Sequence, residues 1–370
     1  MQTKEWSHAV IIISSFLAAI GLIAIYAASS LKGAQQFNDP FLFLRKQAIA
    51  VGLGLSLVFL IQKIPLRWIS RSTLPLMGLT LFLLLLVFVP GAYSKVGGAK
   101  RWLNLPFIGG QPAELVKLTM ILFLAKNLSR QSSDLRNFWN GIFPNIAVLI
   151  IFGLLLLVQK DFGTTAIISS LVIAMMFVAG LPIRWFFAAS VAVVMAAVPA
   201  VMFEEYRLRR LVSFLDPWSN SRGDGFQIIQ SFLAFRNGGL FGVGLGESKQ
   251  KLFFLPESHT DFIFPVIGEE LGLIGIFMLW LLYAFLVFAG FVITYRQKEP
   301  FLKFLCFGLT FTLGIQIFLN MGVTTGLLPT KGLPLPFISS GLSSLLITMI
   351  MVGLIAKIGM SDGNPEQSNV

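Results

Sequence analysis

Long apolar runs alternate with short polar gaps along the chain, and the runs have the length a bilayer demands. Crossing a hydrocarbon core of ~30 Å takes about 20 apolar residues in a helix. Ten such runs are predicted, at 9–28, 43–62, 73–90, 112–128, 142–158, 163–181, 184–203, 262–295, 302–326 and 336–358. The eighth is longer than one crossing requires, which predicts a helix that tilts or projects from the bilayer. The first, Ala9 to Ala28, exceeds the ~7–15 residue core of a signal peptide, so it is expected to be retained as the first helix. One long polar loop, 204–261, separates the seventh and eighth runs. The predicted fold class is all-α: a single polytopic domain of ten transmembrane helices over 1–360, including that loop, and then a polar tail over 361–370.

Composition supports this pattern. Charged residues make up 12% of the chain, against about 25% in a typical soluble domain. With 56% hydrophobic residues, a soluble fold of this length would leave too much apolar surface facing water. The net charge of +11 does not call for nucleic acid, because the basic residues are scattered through the gaps rather than gathered on a polar domain. The lone cysteine, Cys306, excludes an intramolecular disulfide and a cysteine-based metal cluster. His8 and His259 are the only histidines, too few for a multi-histidine metal site.

Basic residues in short loops set orientation. With the N-terminus in the cytoplasm, the inner segments hold 12 Lys and Arg and the short outer loops hold 8. That difference favours both termini inside and the long loop outside. Eight outer cations still exceed what topology asks for. Either an anionic ligand binds the outer face or the excess is ordinary scatter.

Ionisable residues at membrane depth are costly and therefore candidate functional groups. Glu114 and Lys117 open the fourth run within Gln111-Pro112-Ala113-Glu114-Leu115-Val116-Lys117, and their i, i+3 spacing puts both on one helix face. They form either a self-neutralising pair or the lining of a polar cavity. Asp161, in the short turn Gln159–Thr164, either caps the sixth helix or faces the same outer cavity. In the long loop, Arg207 and Arg210 are again i, i+3, a spacing that suits bidentate phosphate binding or a solvated basic face. The glycines of 238–246, followed by Lys249, do not fit a P-loop spacing. Their amides either cradle phosphate or let the chain turn tightly. Asp261 ends the run Leu255-Pro256-Glu257-Ser258-His259-Thr260-Asp261, where the loop meets the bilayer. It is either a helix N-terminal charge or a general base. Glu269 and Glu270 follow by about two turns, as polar support or an ion path. Between the last two runs, the Pro-rich segment Gly326–Ser344 carries Lys331 as a point charge. Its serines, Ser339 and Ser343 among them, are placed to open a helix whose free amides bind anions.

Four of these segments, in this order on a ten-span pattern, resemble the FtsW/RodA (SEDS) family of bacterial cell-wall proteins. They are Arg101-Trp102 followed by Gln111-Pro112-x-Glu114-Leu-x-Lys117, Asp161-Phe-Gly-Thr164, Leu255-Pro-Glu-Ser-His-Thr-Asp-Phe262, and Gly326-Leu-Leu-Pro-Thr-Lys-Gly332. The resemblance covers residues 95 to 355 or so, and Thr330-Lys331-Gly332 and Gly268-Glu-Glu-Leu-Gly272 are more similar to FtsW, the division member. One departure stands out. The family reads Ser-Tyr-Gly-Gly-Ser-Ser where this chain has Ser339-Ser340-Gly341-Leu342-Ser343-Ser344.

The resemblance implies a peptidoglycan glycosyltransferase acting on lipid II in the bacterial cytoplasmic (inner) membrane, with its active site on the extracytoplasmic side. It also implies a class B penicillin-binding protein as partner, with other division proteins beside it. Transfer to a sugar hydroxyl then assigns Asp261 as base, and some of Arg101, Arg207, Arg210, Lys249 and Lys331 as holders of phosphate. Trp102, Gln111, Glu114, Lys117, Asp161, Glu257, His259, Ser339 and Ser343 complete the candidate substrate site. No protein metal cluster is visible in the sequence, and a divalent cation, Mg or Mn, remains compatible with a diphosphate substrate. A flippase for the lipid-linked precursor and a scaffold for the transpeptidase are the competing classes.

Overall fold

The computed structural model describes residues 3–96, 99–103, 110–131, 135, 137–202, 205–221, 223, 225–250 and 259–361. Leu255–Ser258, with the candidate Glu257, and the tail from 362 lie outside the described residues. In chain order, α1 (Thr3–Phe37) and α2 (Leu42–Lys63) lead through the short α3 (Leu66–Arg71) to α4 (Thr73–Leu86). A hairpin of β1 (Tyr93–Val96) and β2 (Ala99–Leu103) follows, with Tyr93 opposite Leu103. Next come α5 (Pro112–Gln131), a π-turn at Phe138–Ile142, α6 (Phe143–Val158), α7 (Phe162–Val178) and α8 (Ile183–Met202). The long loop folds into α9 (Glu205–Leu215) and α10 (Phe226–Gly238), with the single-turn Trp218–Asn220 between them. Then α11 (Ile263–Arg296), α12 (Pro300–Thr324) and α13 (Leu342–Ser361) close the described chain.

Each predicted run falls on one of ten helices, α1, α2, α4 to α8 and α11 to α13, so the chain is an all-α multi-pass membrane protein. Six spans are long and apolar enough by themselves, while α4, α7 and the apolar part of α8 are shorter. α5 carries the buried pair Glu114 and Lys117, and buried ionisable residues also lie on α11, at Glu269 and Glu270, and on α13, at Lys357. The predicted tenth run starts too early. Pro334 and Pro336 bar a helix there, and α13 opens only at Leu342.

Local chemistry fixes the helix starts. Pro112 occupies the first position of α5, where its missing N–H costs nothing. Asp161 caps α7 by accepting a hydrogen bond from Thr164 N at 3.0 Å. Glu299 caps α12 through Phe301 N at 3.1 Å and Leu302 N at 2.6 Å. One continuous apolar core joins the spans, with α13 almost wholly buried against α1 and α2, and α12 packed on α5, α7 and α11.

The long eighth run forms α11, which is kinked. It breaks at Gly272, whose φ of 67° and ψ of −170° suit glycine alone. The glycine run of the long loop docks on this break. Val243 N donates to Glu269 O at 3.0 Å, Gly244 N to Glu270 O at 3.1 Å, and Leu273 N to Gly239 O at 2.9 Å. Those amides therefore satisfy backbone freed by the kink, and the tight-turn reading of the glycines holds over the phosphate cradle. Glu269 accepts from Asn237 Nδ2 at 3.1 Å, from Gln250 N at 3.3 Å and from Ser248 Oγ, which is polar support for the loop. Gly272→Ala is expected to lower the melting temperature in detergent by several degrees. A Cβ there would lie 2.3 Å from Gly242 N, on top of ~1–3 kcal/mol of backbone strain. Hydrogen exchange should rise at 239–246, and an unchanged melting curve would show that the kink is not under that constraint.

Candidate active site

The site is assembled on the turn between α12 and α13. Asn320, one turn before the end of α12, donates from Nδ2 to Leu333 O at 2.6 Å and to Asp261 O at 3.0 Å. One amide therefore pins the turn and the end of the long loop together. Ser339 Oγ accepts from Leu335 N at 2.8 Å and donates to Thr260 O at 2.5 Å, and Ser340 N donates to His259 O at 3.0 Å. The result is a laced pair of segments, 259–261 and 330–340, whose backbone groups are paired where water is scarce.

Three consecutive residues of this turn gather the charged groups. At Gly332, an added Cβ would lie 2.8 Å from Asp261 Oδ2, so only the missing side chain lets the half-buried carboxylate rest over the turn. At Lys331, Nζ lies 4.6 Å from the centroid of the Phe162 ring, and Arg207 Cζ lies 5.7 Å from that same ring. At Thr330, the carbonyl accepts from Arg210 Nη1 at 3.2 Å. Phe162 directly follows Asp161, whose carboxylate accepts from Thr164 Oγ1 at 2.9 Å and Gln111 Nε2 at 3.3 Å as well as capping α7. Burial pushes the Lys331 ammonium below its ordinary 10.5, and the charge of Asp161 opposes that fall.

A buried network supports the turn from inside the bilayer. Lys117 Nζ pairs with Glu114 Oε2 at 2.8 Å and donates to Gln316 Oε1 at 2.7 Å. Gln316 Nε2 in turn donates to Pro334 O at 3.0 Å. With Glu114 4% and Lys117 1% exposed, the pair is a structural strut to the turn and does not line an open polar cavity. Ser343 Oγ accepts from Gln111 N at 3.1 Å, tying the start of α13 to that of α5. Ser339 and Ser343 thus fasten backbone, Ser339 as both acceptor and donor and Ser343 as acceptor.

Other candidates stand apart. Arg101 and Trp102 are half-buried on β2, and among the described residues the buried Nε of Arg101 has no partner. Lys249 is exposed, and among the described residues no contact joins it to the Lys331 cluster. His259 is buried with its ring 4.9 Å from that of Phe43. Sequence reading missed Phe162, Gln316 and Asn320. Gln316 and Asn320 are i, i+4 polar residues on one face of an apolar span, a signal that was available.

Two carboxylates, Asp261 and Asp161, and three cations, Arg207, Arg210 and Lys331, gather around the turn at 330–332 and the Phe162 ring, a set that can take a proton and hold an anion. A family profile described as cell cycle protein, covering FtsW, RodA and SpoVE, matches residues 7–363. The chain belongs to the FtsW/RodA/SpoVE family. A relative in Geobacter metallireducens, named probable peptidoglycan glycosyltransferase FtsW, is 41% identical over 357 residues, 96% of this chain and 95% of that protein. A Legionella pneumophila relative of the same name is 42% identical and covers 92% of this chain and 88% of its own. A solved chain from a peptidoglycan synthase complex, described as coordinating polymerization and crosslinking, superimposes with a TM-score of 0.80. It is 30% identical and covers 96% of this chain and 98% of that one. The rod shape determining protein RodA of Thermus thermophilus gives 0.70 at 28% identity, covering 96% of each chain. Within this family frame, Ser340 and Leu342 serve ordinary backbone roles here, the first bonding His259 O through its amide and the second opening α13.

Proposed function

We propose that the chain is a peptidoglycan glycosyltransferase that polymerises lipid II, with Asp261 as general base, in bacterial cell division. The observation that carries this reading is the Asp261 carboxylate resting over Gly332, one residue from Lys331 and two from the carbonyl that holds Arg210. In the step proposed, the acceptor GlcNAc 4-hydroxyl gives its proton to Asp261. Its oxygen bonds to C1 of the donor MurNAc from the face opposite the leaving group. The C1–O bond to diphosphate breaks with inversion, and undecaprenyl diphosphate leaves with the electron pair. Glycosidases need a second carboxyl group because their leaving group must be protonated. Diphosphate needs nearby positive charge instead, and Lys331, Arg207 and Arg210 are placed to provide it.

A divalent cation, Mg or Mn, would draw ligands from substrate phosphates and at most one or two carboxylates. Among the described residues no three His, Cys, Asp or Glu side chains come together to hold one, and no step here passes through a metal. The names of the relatives support the division member. The synthase complex supports a class B penicillin-binding protein as partner, and the charge bias of the loops supports an extracytoplasmic site in the inner membrane. The flippase reading needs a polar route. Glu114 and Lys117 are instead locked to Gln316, Glu269 is fastened to Asn237, and the cavity of about 1070 Å³ between α10, α11 and α12 has an apolar lining.

The test is polymerisation of labelled lipid II by purified protein with and without its transpeptidase. Growing glycan is expected, and lipid movement without glycan would turn the reading to transport. Alkaline pH should also act through Lys331. Burial holds its pKa below the ordinary 10.5, so its charge is lost, as pH rises, earlier than that of a free lysine. Activity should fall on an alkaline limb, and Lys331→Arg, which stays protonated, should move that limb upward. An identical pH profile in Lys331→Arg would remove Lys331 from phosphate binding.

A further inference from the structure

A second polar cavity, of about 520 Å³, opens at the opposite end of the spans and plays no part in the reaction above. It is lined by Arg67, Ser70 and Arg71 of α3, Lys126, Ser129 and Arg130 of α5, and the Glu299–Phe301 start of α12. Asn320, which holds Asp261, lies about 20 residues further along α12, or ~30 Å at 1.5 Å per residue. The two sites therefore face opposite membrane surfaces.

Four cations from two helices converge on this space against one carboxylate. Both oxygens of that carboxylate, on Glu299, already accept backbone amides of α12. Lys126 Nζ donates one hydrogen bond, to Ser70 O at 2.9 Å, which joins α5 to α3 and leaves two N–H groups for the cavity. Among the described residues, Arg67, Arg71, Lys126 and Arg130 form no ion pair. Cations gathered around one cavity repel one another, so an anion bound among them would be favoured. Exposed Trp68 on α3 and exposed Trp139 beyond α5 mark this end as headgroup depth.

We propose that this cavity binds a phosphate-bearing anion, gripped by Arg71 and Arg130 with Lys126 behind them. The same chemistry is offered by the headgroup of an anionic phospholipid and by soluble phosphate, and basic pockets between transmembrane helices are known to take the former. The test places the full chain in phosphatidylcholine nanodiscs and measures association of spin-labelled phosphatidylglycerol against spin-labelled phosphatidylcholine. A parallel arm measures binding of inorganic phosphate.

Selective uptake of phosphatidylglycerol is expected, weakened about tenfold in Arg71→Ala/Arg130→Ala, as loss of charge-assisted contacts predicts. Both residues are exposed, so packing should survive, and melting curves check it. Lys298→Ala/Lys303→Ala, which removes equal charge from exposed positions on the same face outside the cavity, should keep the selectivity. Phosphate binding that depends on Arg71 and Arg130, without lipid selectivity, supports the site and assigns its ligand to the soluble pool. Equal loss in both double variants, or loss in neither, overturns the proposal.

Discussion

Asp261→Asn is expected to cut lipid II polymerisation by about 10²–10⁴-fold, the usual contribution of a positioned general base. The change is nearly isosteric. The link that anchors residue 261 runs from Asn320 to its backbone carbonyl, so the substitution leaves that tie alone. The side chain can still lie over Gly332, and Lys331 and Arg210 keep their own supports in Phe162 and Thr330. What is lost is the ability to take a proton from the acceptor hydroxyl. Insertion, melting temperature and partner binding should therefore match the wild type while glycan growth stops. Asp261→Glu keeps the base but moves it by a methylene against a turn that has no spare room. A displacement of about 1 Å costs on the order of 10²-fold, so partial activity is expected there. Normal turnover by purified Asp261→Asn would sink the assignment. It would also favour the scaffold reading, in which this chain only positions its transpeptidase.

The spans were legible because length and apolarity decide them with little help from tertiary context. All ten runs fall on helices, and the differences lie at their ends and at the internal break of α11. The last span starts at Leu342 rather than 336, because Pro336 and the serines after it form a turn that an apolar count passes over. The break at Gly272 was not legible. Nothing in an apolar run marks which of its glycines has a positive φ until Gly238–Gly246 is known to dock there. The site was legible in its charged members, since a carboxylate or cation at membrane depth is conspicuous. Asp161, Arg207, Arg210, Asp261 and Lys331 all meet on the turn at 330–332 or its Phe162 platform. Its scaffold was not legible. Asn320, Gln316 and Phe162 act through contacts between segments far apart in the chain, as between Lys117 and Gln316, and a single sequence gives each of them an ordinary reading. The backbone bonds of the candidate serines were not legible either, because Ser339 meets Leu335 N and Thr260 O, and Ser343 meets Gln111 N, only in the folded chain.

The buried pair on α5 gives the second large effect. Lys117→Met should destabilise the protein by about 3–5 kcal/mol, the cost of leaving one partner of a buried ion pair behind. Lys117 is 1% exposed and Glu114 4%, so water cannot replace the lost partner. The loss also frees Gln316 Oε1, whose amide is the tether to Pro334. The turn at 330–332 should loosen, and activity should fall further than stability alone explains. The double variant Glu114→Gln/Lys117→Met separates the two effects. Removing both charges leaves no orphaned charge, and such replacements are often neutral or stabilising. Its melting temperature should return most of the way toward the wild type. If activity returns with it, Glu114 and Lys117 serve only to hold the fold. If stability returns and polymerisation does not, the chain Glu114–Lys117–Gln316–Pro334 positions the catalytic turn. That is the expected result, because Pro334 lies two residues from Gly332, where the Asp261 carboxylate rests.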